Sequence, residues 1–123
     1  MLRESLLPTP VLPPAAPPPA PLVVREAILL GMAILLEVSG TISMRQVHES
    51  EAWRAVAYVC YLSAFSLFPS ILARIPLSVA YATWSAFGTA GVSAISVCVY
   101  GERLNARQAL ATITLVLSAI LLW

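Results

Sequence analysis

The 123-residue chain has no lysine and no aspartate. Its charge rests on seven arginines and six glutamates, charged residues make up only 11%, and the net charge is +1. A soluble domain carries about a quarter charged residues, so this chain cannot cover its surface with charge. No basic patch exists to serve as a footprint for nucleic acid. Cysteine is also scarce. Cys60 and Cys98 sit inside apolar runs, and their spacing suits neither a metal pair nor a disulfide framework. Soluble folds, nucleic-acid binders and disulfide scaffolds are thereby disfavoured. A membrane protein is the default reading for a chain that is 59% hydrophobic.

Proline is abundant in one place. Residues 1–25, "MLRESLLPTPVLPPAAPPPAPLVVR", hold eight of the ten prolines. Proline lacks the amide donor and blocks helix interiors, so this segment is expected to be a disordered, proline-rich tail, partly polyproline II. A solvated tail and a proline-rich docking ligand are both open readings. A cleavable signal peptide is not expected, because no continuous apolar stretch runs through the segment.

Four apolar segments follow, at about 27–44, 53–73, 76–100 and 104–123. Each is close to the ~20 residues that cross a hydrocarbon core of ~30 Å. Backbone groups in lipid must be satisfied internally, and four long spans are too few for a barrel. The expected fold is an all-α membrane protein with four transmembrane helices in residues 26–123. The links "RQVHESE", "RIP" and "GERLN" are short enough to force antiparallel neighbours. Pro69 is expected to kink the second helix or end it early, and Pro76 to open the third. Trp53, Arg54, Tyr100 and Trp123 fall near helix ends, the depth that interfacial aromatics and arginine favour.

Alternating spans put Arg3, Arg25 and Arg74 on one side and Arg45, Arg54, Arg103 and Arg107 on the other. Three against four is a weak bias for orientation. Insertion in both orientations is therefore the expectation.

Glu37 lies near the middle of the first segment, whereas the other ionisable side chains fall in the tail, in loops or near expected helix ends. A carboxylate at that depth costs a few kcal/mol unless it faces protein or water. The other segments offer no buried basic partner. One reading is a protonated acid that serves as polar glue between helices. The other is a site that holds either a proton or a cation, and competition of the two for one carboxylate is the minimal physics of an antiporter. Helical spacing puts Ala33, Ile34, Gly40, Thr41 and Met44 on the side of Glu37. In the third segment Tyr81, Trp84, Ser85, Gly88 and Gly91 fall near one face. Tyr81 and Trp84 are either ordinary packing or aromatic faces for an organic cation. Four helices with one acid do not enclose a wide cation, so a dimer with two copies of Glu37 facing one cavity is expected. Ala111, Thr114 and Ser118 form a small-residue stripe on the fourth helix, suited to close approach by a second chain. No nucleophile–base pair, metal-ligand cluster or Gly-rich phosphate loop is present in the sequence, so an enzyme is not expected, nor is a metal.

The strings "ILLEVSGTISMR", "RIPLSVAYATWSAFGTAGVSAI" and "YGERLN" together resemble the small multidrug resistance transporters, over residues 27–123. The resemblance implies a proton-coupled exporter of four helices in the plasma membrane, working as a dimer, with no cofactor beyond the proton gradient. It implies that Glu37 is the shared proton and substrate carboxylate. Ala33, Ile34, Gly40, Thr41, Tyr61, Tyr81 and Trp84 match substrate-chamber positions, and Ala111, Thr114 and Ser118 the dimer stripe. Gly40 resembles the branch that exports bulky quaternary and aromatic cations, and guanidinium exporters usually have tryptophan there. "LSVAYA" is similar to spermidine exporters, which pair two different subunits. Three readings stand: an antiparallel homodimer exporting hydrophobic or quaternary cations, a polyamine-exporting half of a heterodimer, and a non-transporting membrane scaffold. The chain departs from the family pattern at Ala86, where many members have glycine, at Ala111 and Ser118, which replace stripe glycines, at Pro69, and in its proline-rich tail.

Overall fold

A computed structural model describes residues 20–123, with side chains from Val23 onward. Four helices follow in order: α1 (Ala20–Arg45), α2 (Ala52–Leu72), α3 (Leu77–Cys98) and α4 (Ala106–Ile120), with a 3-10 turn at Gln46–His48. Two of them, Val23–His48 and Ala52–Leu72, are long and apolar enough to cross a membrane by length and composition. α3 matches them in length but is richer in Ser, Thr and Gly. α4 is shorter, at 15 residues.

The first helix starts earlier than expected, because Pro21 falls in its first turn. There a missing N–H costs nothing, since the first turn's donors have no intrahelical partners. Residues 20–25 of the expected tail thus belong to α1, and the rest of that expectation lies outside the described residues. α2 continues past Pro69 to Leu72, one turn beyond it. Pro76 forms the N-cap of α3, with its carbonyl accepting from the Ala80 N–H at 3.0 Å. Gly101, at φ +67°, turns the chain out of α3, and the Glu102 N–H reaches back to the Ser96 carbonyl at 3.0 Å. An L side chain is strained at that φ. α4 opens with a capping box in which the Asn105 side chain accepts from the Gln108 N–H and the Gln108 side chain accepts from the Asn105 N–H, each at 2.9 Å. Two orphan donors are satisfied at once.

α1 packs along α2 and more locally on α3, whereas among the described elements α4 packs on α3 alone. The core occupies one end of this assembly. Leu30 and Ala33 of α1 meet Ala64, Phe68 and Ile71 of α2, with Ile75, Ala80 and Trp84 completing the cluster. At the other end Arg45 pairs with Glu102 and lies over the Tyr100 ring, 3.9 Å from its centroid. That contact brings the end of α1 to the α3–α4 connection, as antiparallel neighbours require.

Candidate functional site

Glu37 sits between these two ends. Its position on α1 continues a buried stripe of Glu26, Leu30, Ala33 and Gly40, the 3- and 4-residue spacing of one helix face. α3 approaches it through a glycine. A Cβ placed on Gly88 would collide with the Glu37 carboxylate, meeting Oε2 first and Cδ at 3.1 Å. Gly91, one turn on, leaves similar room for Val38. The two glycines are therefore the notches that let α1 and α3 come together. Oε2 of Glu37 is buried and has no hydrogen-bond partner among the described residues.

On the α2 side, Gly40 permits the same closeness. A Cβ there would lie 3.2 Å from Cys60 Cβ and 3.4 Å from the Tyr61 ring. Next to it, Thr41 donates from Oγ1 to the Glu37 carbonyl at 3.0 Å. The Tyr61 hydroxyl then donates to Thr41 Oγ1 at 2.8 Å, with Met44 Sδ as an alternative acceptor at 3.6 Å. Glu37, Thr41 and Tyr61 are thus joined through backbone and side chain across two helices. Helix spacing in the sequence suggests Thr41, but only the packing brings Tyr61 to it.

The aromatic pair of α3 divides. Trp84 is 8% exposed and belongs to the core. Its ring meets Phe68 at 5.0 Å and Phe65 at 5.5 Å, both edge-on, the geometry aromatic pairs favour. Its indole Nε1 is buried without a partner among the described residues. Tyr81, edge-on to Trp84 at 5.4 Å, is 54% exposed. It borders an open surface hollow with Leu77, Ser78 and Ala82. In one protomer, then, Trp84 packs and Tyr81 is presented outward. Ile34 packs against the core and Ala33 lies within it.

Two clefts open on the far side of Glu37. One of about 160 Å³ lies between α1 and α3 against Thr41, Ile42, Arg45 and Tyr100. Another, of about 280 Å³, lies between α1 and α2 against Met44, His48, Arg54, Tyr58 and Tyr61. Their walls reach Thr41 and Tyr61, one turn short of the carboxylate. Ala111, Thr114 and Ser118 lie apart from all this, exposed together in a shallow depression on the outer face of α4 with Arg107, Leu110 and Leu115.

One acidic residue escaped the sequence argument. Glu26 is 3% exposed, and its Oε2 is buried without a partner among the described residues. Its signal was present as an acid eleven residues before Glu37 on one helical face, but it was hidden by the assumption that the helix began after it.

A membrane-spanning helical protein with an unpartnered acid against a glycine notch has the construction of a carrier rather than of an enzyme. The family model described as Small Multidrug Resistance protein matches residues 25–116, and the chain belongs to that family of integral membrane transporters. It is 40% identical over 80 residues to the multidrug transporter EmrE of Escherichia coli, covering 63% of this chain and 73% of that one. To the nicotine metabolites export pump subunit NepB of Paenarthrobacter nicotinovorans it is 35% identical over 109 residues, 84% of this chain. The match spans 65% of that relative's length. Identity to the spermidine export protein MdtI of Salmonella newport is 32% over 98 residues, covering 76% of this chain and 87% of that one.

Proposed function

We propose that this protein is a proton-coupled antiporter that exports hydrophobic or quaternary organic cations across the plasma membrane, driven by the proton gradient without a cofactor. The observation that carries this reading is the Glu37 carboxylate, held inside the helices with a buried oxygen that no described residue satisfies. A group so placed must take a proton or a cation. The two cannot occupy it together, so loading one expels the other. Tyr61 and Thr41 steady the backbone at Glu37, Ala33, Ile34 and Gly40 shape its surroundings, and Tyr81 offers an accessible ring to an arriving cation. Trp84 contributes its ring once the face between α1 and α3 opens.

One protomer surrounds Glu37 on two sides only, and α4 leaves its small-residue face uncovered. The working unit in this reading is an antiparallel homodimer, joined through Ala111, Thr114 and Ser118, with two copies of Glu37 facing one cavity. Near-balanced arginines on the two sides are compatible with insertion both ways up.

Similarity to the spermidine export protein and to an export pump subunit supports a second reading, in which the chain is one half of a heterodimer that exports polyamines. Proteoliposomes with an imposed pH gradient separate the readings. Concentrative transport of ethidium or methyl viologen by the chain alone supports the first. Transport of spermidine only after co-reconstitution with a paralogue supports the second. Glu37→Gln should abolish transport of either cargo, and a Gln variant that still concentrates cations would overturn both readings. No transport of any cation would leave a scaffold in which Glu37 joins helices.

A further inference from the structure

Glu26 and Glu37 are eleven residues apart on α1. At 3.6 residues per turn that is about three turns, so both acids lie on one face, separated by roughly 16 Å along the axis. Each has a carboxylate oxygen that is buried and unpartnered among the described residues. The ion pairs among those residues are Arg45–Glu102 and Arg54–Glu51, and neither involves these two acids. Between the acids the same face is wholly apolar, with Leu30 and Ala33 buried. An acid in the second turn of a helix that merely tolerated its position would turn toward water, because burial of an unpaired carboxylate is costly. Glu26 turns inward instead.

The pattern acid, apolar stretch, acid is the complement of an ammonium group, a methylene chain and a second ammonium group. We propose that Glu26 is a second cation-holding carboxylate, and that together with Glu37 it selects long, linear, polyvalent organic cations. The inference rests on the reading that Glu37 binds the cargo. One terminal ammonium group is held at Glu37 and the other at Glu26, with the methylenes along Leu30 and Ala33. In this structure Ile71, Ile75 and Trp84 complete the core around that stripe, so both acids are engaged together when the face opens during exchange. A compact monovalent cation uses Glu37 alone.

Chain length is the ruler that tests this. Binding to the purified full-length protein is measured for three probes: tetraphenylphosphonium, a bis-quaternary cation with a tetramethylene spacer, and one with a decamethylene spacer. The long dication should bind about tenfold or more tightly than the short one, the worth of an added charge-assisted contact. Glu26→Gln, nearly isosteric, should erase that preference while changing tetraphenylphosphonium affinity by less than about twofold. Glu26→Asp should retain most of it. Because the readout is a ratio within one preparation, a lower folded fraction does not move it. Absence of a length preference in the native protein, or equal weakening of all three probes by Glu26→Gln, overturns the proposal. Glu37→Gln distinguishes this failure from that of the parent reading. If tetraphenylphosphonium binds in a Glu37-dependent way without any length preference, the role of Glu26 alone falls. If no probe binds the native protein, both fall together.

Discussion

α1 and α4 solve opposite problems. α1 turns its acids onto a stripe that faces its own chain, with Glu26 buried and one oxygen of the half-buried Glu37 buried, and glycines on α3 and on α1 itself let the neighbouring backbones close in. α4 is tied down at its start by the Asn105–Gln108 capping box and, among the described elements, packs on α3 alone. Among its residues only Ala119 is buried. The inner helices carry a carboxylate that Gly88 closely abuts but that has an oxygen without a hydrogen-bond partner among the described residues. The outer helix has its N-terminal cap satisfied and its small-residue face bare. The proposed chemistry thus lies where the chain is most constrained, and the proposed surface for association where it is least.

Four substitutions sharpen this contrast. Trp84→Ala should have the largest effect on stability, because the ring fills the space between Phe65 and Phe68. In lipid the transfer part of the loss is small, since the tails are as apolar as the core. The cavity part remains, so about 2 kcal/mol is expected, measured by denaturant titration in mixed micelles. Gly88→Ala comes next. The carboxylate tip of Glu37 is flexible and can shift from the new methyl group, so stability should fall by less than about 1 kcal/mol. Cation affinity, measured by equilibrium binding, should nonetheless drop about tenfold, because the new methyl group fills the space beside the carboxylate that a cation would need. Tyr81→Ala should leave the fold unchanged and weaken aromatic cations by about 1 kcal/mol; a matching loss of stability would mean that the ring is packing. Smallest for the protomer is Ala111→Leu on α4. Its intrinsic stability should be unchanged within about 0.5 kcal/mol, while the dimer fraction in bilayers, read by energy transfer between labelled chains, should fall.

Much of this architecture is legible in the sequence. Apolar lengths, short polar links and Pro76 mark α2 and α3 closely, and Glu37 stands out because nothing of its kind lies beside it. The start of α1 is less legible, since proline breaks helix interiors but is harmless in a first turn. That one ambiguity concealed Glu26. Tyr81 and Trp84 illustrate another limit. Three residues apart on a helix, they differ by about 60° in direction, and the sequence does not say that this small angle divides core from surface. Nor does it say that Gly88, rather than another small residue of α3, would be the one to rest on Glu37. Such pairings are set by the relative rotation and rise of two helices, which depend on every side chain between them.

If Glu37 takes the cargo, as proposed, the rest of Gly88 against its carboxylate makes one atom group serve as both a docking point for cargo and a spacer between helices. Any cation that reaches the carboxylate must either draw it out of the notch or press α3 away from α1. In that reading occupancy and shape are interlocked: the empty carrier is held shut by the same group that the cargo needs, and arrival of the cargo is itself the act that unlatches it.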